Sequence, residues 1–111
     1  MASLEAGDSD VARFGDIQEQ GLIHFDEILL GDDALVMTCH SCVNVANVYR
    51  KLAAEDPQKA LKQLREAFDY NCNKRMHKKD CPGMASKYLD RYFKLLIESE
   101  PKKFCWQFNY C

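Results

Sequence analysis

Six cysteines, Cys39, Cys42, Cys72, Cys81, Cys105 and Cys111, all fall in the last 73 residues of a 111-residue chain. An even count at that density reads as a disulfide framework, and so short a stretch has a core small enough to gain from covalent staples. Spacing alone leaves many pairings open, so the pairs have to be read against the helices that carry them.

Other uses of cysteine fit less well. Cys39-x2-Cys42 with His40 and His77 resembles half of a zinc site, but the remaining gaps of eight, 23 and five residues supply no second close pair. A thioredoxin-type redox role needs the pair after a strand in a βαβ unit, and none is visible. Free buried cysteines in a cytosolic helical protein remain a plainer alternative. No metal and no cofactor are expected.

The apolar period is helical nearly throughout, which predicts an all-α fold of four to five amphipathic helices stapled by three disulfides. Leu35, Cys39, Cys42, Ala46, Tyr49 and Ala53 recur at steps of three and four, predicting a first helix over 36–54. Asp56 and Pro57 suit the N-cap and first turn of a second, with Ala60, Leu61, Leu64, Ala67 and Phe68 on its buried side. A separate short helix is predicted over 70–78, ended by Asp80-Cys81-Pro82-Gly83. A fourth follows over 82–98 and a last short one after Pro101. In this layout Cys39 and Cys42 sit near the start of the first helix, and Cys105 and Cys111 at the end of the last. Antiparallel ends meet, so the geometric choice is Cys39 to Cys111, Cys42 to Cys105 and Cys72 to Cys81.

The net charge of -2 hides an asymmetry. Residues 1–38 hold nine acidic side chains and one base, Arg13; the rest of the chain holds 14 bases and eight acids. Residues 1–20 also carry few apolar side chains and are expected to lack fixed structure, whereas 21–30 approximate a helical stripe through Leu22, Ile23, Phe25 and Leu29. Lys74, Arg75, His77, Lys78 and Lys79 form the densest basic run. It matches no nucleic-acid motif, so no nucleic-acid partner is expected.

The cysteine order, C-x2-C, a long helical stretch, C-x8-C, another helix, then Pro101-Lys102-Lys103-Phe104-Cys105 and five residues to a final cysteine, resembles the saposin-like (saposin B-type) proteins. The resemblance covers residues 36–111, leaving 1–35 as an acidic N-terminal extension. It implies the same nested pairing and a habit of binding, extracting or perturbing membrane lipids without catalysis. It also implies a secreted protein, or one in a lysosome or granule lumen. The first 20 residues lack the basic start and apolar stretch of a secretory signal, so a secreted form is read here as a mature one.

The expected function is therefore binding to anionic phospholipid membranes, with perturbation, fusion or permeabilisation as the outcome. Lys74, Arg75, His77, Lys78 and Lys79 are the expected headgroup contacts, and Tyr88, Tyr92, Phe93 and Trp106 suit the interface, having apolar bodies and, for Tyr and Trp, a polar edge. The alternative is a disulfide-stabilised module that binds another protein, a hydrolase or a receptor, through its apolar surface. Dimerisation is a further way to hide that surface. No catalytic motif is present: there is no Gly-rich phosphate loop, and Ser41 beside His40 is one helix turn, not a nucleophile with an oriented base. A non-enzyme is expected.

Overall fold

A computed structural model describes residues 17–111, and the acidic residues Glu5, Asp8, Asp10 and Asp16 lie outside them. Five α-helices follow one another: α1 (Ile17–Leu30), α2 (Cys39–Glu55), α3 (Pro57–Arg75), α4 (Cys81–Glu98) and α5 (Pro101–Gln107). Short 3-10 segments at Gly31–Leu35 and Lys78–Asp80 lie between α1 and α2 and between α3 and α4. No strand occurs among the described residues, and the fold is all-α with three disulfides.

Local chemistry sets the boundaries. The Thr38 hydroxyl accepts the Ser41 N–H at 3.0 Å and starts α2 at Cys39, three residues later than the helical period alone predicts. Val36 and the preceding Leu35 are thereby left outside the helix, 74% and 85% exposed. Asp56 ends α2 and starts α3: its N–H donates to the Leu52 carbonyl, and its carboxylate accepts the Lys59 N–H at 3.1 Å. Pro57 sits where a missing N–H costs nothing.

The separate helix expected over 70–78 does not exist. No Gly or Pro interrupts 58–75, and Ala60, Leu64, Phe68 and Cys72 form one unbroken buried stripe at steps of four, so α3 runs through to Arg75. Lys74 and Arg75 in its last turn complement the negative end of the helix dipole.

Cys39 is bonded to Cys111, Cys42 to Cys105 and Cys72 to Cys81, which uses all six cysteines. The first two bonds tie α2 to α5 and the C-terminal residue, and the third ties α3 to α4. Arg50 adds a polar tie, its guanidinium donating to the carbonyls of Ile97 (3.0 Å) and Ser99 at the end of α4.

The boundary drawn at residue 36 cuts through the core. α1 packs on α3 and α4, and Leu22, Phe25, Ile28 and Leu29 are all at most 6% exposed. Nor does fixed structure wait for residue 21, since α1 begins at Ile17. The Phe25 ring stacks on Phe68 at 4.3 Å and leans on Tyr92 at 5.1 Å. Tyr92 in turn meets Phe104 and Phe108, each at 5.5 Å. This aromatic chain joins α1, α3, α4 and α5, and such pairs contribute about 0.5–1.5 kcal/mol each beyond the area they bury. The acidic charge of 17–35 concealed this role, because the apolar half of α1 faces inward while Glu27, Asp32 and Asp33 stay exposed.

Candidate functional site

The turn between α3 and α4 gathers the basic run on the surface. Lys74, Arg75, His77, Lys78 and Lys79 are all exposed. The Lys74 ammonium lies 4.8 Å from the centre of the Tyr70 ring and donates to its hydroxyl at 3.3 Å. Arg75 is engaged differently, its guanidinium paired with the carboxylate of Asp32 from the turn after α1.

Beside this turn lies an open groove of about 560 Å³ between α1 and the first turns of α4. Half-buried Met76, Met84 and Tyr88 give it an apolar floor. Lys79 and Lys87 supply cations at its rim, with the Lys87 ammonium 5.3 Å from the centre of the Tyr88 ring. Asp80 and His24 complete the rim, so the cationic character is dominant but not pure. Gly21 of α1 lets the Tyr88 ring lie against the helix: a Cβ there would fall 2.4 Å from the Tyr88 hydroxyl oxygen.

The second feature is interior. Asp26 of α1 is the buried charged side chain of the described core, 2% exposed. The Tyr92 hydroxyl donates to Oδ1 at 2.5 Å and the Tyr110 hydroxyl to Oδ2 at 2.6 Å. Tyr92 arrives from the buried stripe of α4. Tyr110 arrives because Asn109 takes a positive φ of 68° after α5, and the chain folds back until the Tyr110 N–H donates to the Cys105 carbonyl at 2.9 Å. The same reversal brings Cys111 to Cys39.

Burial raises the Asp26 carboxyl from 3.8 to about 6; the two tyrosine hydrogen bonds pull against that and the Glu27 charge adds to it. The Tyr92 and Tyr110 hydroxyls are pushed upward, first by burial and then by the neighbouring Asp26, and stay neutral donors at any physiological pH. Next to Asp26 lies a cavity of about 230 Å³, walled chiefly by Leu29, Met37, Val45, Ala46, Leu64 and Leu96. That is below the usual size of a drug-like site, about 300–1,000 Å³. Asn71 closes its α1 side, donating to the Leu29 carbonyl at 2.7 Å and the Ala67 carbonyl at 3.2 Å.

The expected interface residues therefore separate. Tyr88 belongs to the groove and Phe93 is half-buried elsewhere on α4, while Trp106 is 44% exposed. Tyr92 is corrected: at 3% exposure, with its hydroxyl on Asp26, it is a core residue and presents nothing to a membrane from this structure. Lys87, Met76 and Met84 were missed, although Met76 and Lys87 flank the basic run closely enough for one surface. Asp26 was missed because it was counted with the acidic segment. Its position four residues after Leu22 and three before Leu29 was the available signal that it faces inward.

Among the described residues no group of three His, Cys, Asp or Glu side chains is arranged to hold a metal ion. No described helix is long and apolar enough to cross a membrane. No protein-family model, curated protein or solved structure matches this chain.

Proposed function

We propose that this protein binds anionic phospholipid surfaces through the groove between α1 and α4, as a secreted or lumenal protein, and perturbs, fuses or permeabilises the bilayer it engages. The observation that carries this reading is the apolar floor of Met76, Met84 and Tyr88 lying directly beside Lys79 and Lys87, with the exposed Lys74 and Lys78 at the adjoining α3–α4 turn. A phosphate headgroup meets the cations while the first methylenes of its chains meet thioether and ring. Near an anionic membrane each such cation is worth about 1 kcal/mol, so four supply about 4 before salt and geometry reduce it. Arg75 contributes less while Asp32 holds it. With no described spanning helix, engagement of this kind is interfacial. The saposin-like order of the cysteines supports the same class of partner, and three disulfides suit an oxidising compartment.

Co-sedimentation with vesicles of phosphatidylserine and phosphatidylcholine, against phosphatidylcholine alone, tests it. Binding should require the anionic lipid and weaken strongly between 0.05 and 0.5 M salt, where the Debye length shrinks to roughly 4 Å. Reversing Lys74, Lys78, Lys79 and Lys87 to Glu should abolish the low-salt binding. A reversed protein that binds like the parent would reject the groove as the headgroup site.

A further inference from the structure

α1 differs from its neighbours in how it is attached. It carries no cysteine, whereas α2 is bonded to α5 and the C-terminal residue, and α3 to α4. Lifting α1 away would break no covalent bond, and the remaining four helices would stay tied as they are. What it would uncover is mainly apolar, since Phe25 covers Phe68 face to face and Leu22, Ile28 and Leu29 fill the same seat along α3 and α4. The Tyr92 and Tyr110 hydroxyls and the Asn71 amide are the polar groups that would exchange Asp26 and the Leu29 carbonyl for water or lipid headgroups.

α1 and the turn after it meet the cationic surface at two places, Arg75, which lines a separate pocket, and the groove proposed for anionic headgroups. Gly21 and His24 of α1 form one wall of it, with Tyr88 packed against Gly21. Asp32, in the turn that follows α1, occupies Arg75 at the edge of the basic run. A phosphate group arriving there competes with the Asp32 carboxylate for the same guanidinium, and the negative surface repels the exposed Glu27, Asp32 and Asp33. Beside Asp32 and away from the groove, Gly31 takes a positive φ of 60° and would bring a Cβ to 2.8 Å from the Asn71 side-chain oxygen, so α1 is seated tightly at both ends.

We propose that α1 is a displaceable plug, leaving its seat on α3 and α4 when anionic headgroups take Arg75 from Asp32, and so opening an apolar trough to acyl chains. The inference rests on the anionic-lipid reading above and assigns that site its regulation. In solution α1 keeps the trough closed and Arg75 neutralised. On the membrane the headgroups replace Asp32, and lipid chains replace Leu22, Phe25, Ile28 and Leu29.

The test is nuclear Overhauser contact between rings in the full chain, in solution and in bicelles containing phosphatidylserine, with association verified by diffusion. Phe25 to Phe68 should be seen in solution and lost on the bicelle, while Tyr92 to Phe104, inside the disulfide-tied part, persists. Gly31→Val, a charge-neutral change at the end of α1 away from the groove, should raise the vesicle-bound fraction at limiting lipid at least threefold with all three disulfides intact by non-reducing mass mapping. Ile28→Ala, which loosens the seat of α1 at a core position outside the groove, should do the same. Bicelle-bound protein that keeps the Phe25 to Phe68 contact overturns the plug alone, as do variants that bind no better than a parent that binds. Failure of the parent and both variants to bind any anionic vesicle overturns the membrane reading, and the plug with it.

Discussion

α1 and the unit formed by α2 to α5 bury similar apolar faces and are held by different bonds. The unit has two disulfides across its ends and one across the α3–α4 turn. α1 has stacked rings, a carboxyl shared by two tyrosines, an asparagine on its Leu29 carbonyl and, from the turn that follows it, one exposed ion pair. The first kind of attachment answers to redox conditions and ignores pH and anions; the second answers to both. A protein assembled this way can open along one seam without unfolding.

Reduction is the severest way to break the comparison. Closing the two long loops is worth about 4 kcal/mol each and the short one about 3 in the chain-entropy model, terms that do not simply add. A small domain deprived of them should lose most of its helical circular dichroism at 37 °C in excess phosphine, α1 included, because its seat is gone. Retention of the oxidised melting temperature would mean the packing alone is sufficient and the contrast between the two regions is weaker than drawn.

Phe25→Ala acts on the other region. Removing a fully buried ring that stacks on Phe68 should cost about 3–5 kcal/mol in urea unfolding. If α1 unseats by itself, the loss will appear as a separate early transition seen by α1 hydrogen exchange, with the disulfide-tied helices melting as before. A single shifted transition would make α1 and the rest one cooperative unit.

The smallest effect is the most specific. The folded pKa of Asp26 is raised from 3.8 to about 6, so the docked state holds the proton more tightly than the undocked one. Its contribution is full below about pH 4 and is lost as pH rises through about 6, a difference of roughly 3 kcal/mol by linkage. Glu27 on α1, Asp33 in the following turn, Arg75 on α3, Tyr49 on α2, Tyr92 on α4 and Tyr110 share the cavities around it, and of these only the Glu27 charge adds to the upward shift. Urea midpoints at pH 4.5, 6 and 7.5 should fall with pH in the parent and stay nearly level in Asp26→Asn. Equal slopes would show that Asp26 does not set the pH response of the seam.

Much of the fold was readable because its causes are local. The steps of three and four through Cys42, Ala46, Tyr49 and Ala53, and through Leu89, Tyr92 and Leu96, depend only on helix geometry. Asp56-Pro57 marks two helix ends by its own hydrogen-bonding needs. The expected break before Tyr70 was a misreading at the same local level, since α3 holds no residue that would end it.

The candidate site was legible in part, as the basic run is interrupted in sequence only by Met76. Its apolar floor was not, since Met76, Met84 and Tyr88 share a face only after the turn at Lys78–Asp80 sets α4 against α3.

What the sequence by itself determined, then, is most of the helices, their apolar stripes and the order of the cysteines, all consequences of interactions spanning a few residues. Only the tertiary structure decided which stripe covers which. α1, read as an acidic extension, became a core helix because its inward face fits the trough on α3 and α4. Asp26 meets Tyr92 and Tyr110 across 66 and 84 residues. Such a carboxyl is tolerated in a core only when donors reach it from distant parts of the chain, and no short-range pattern records whether they do.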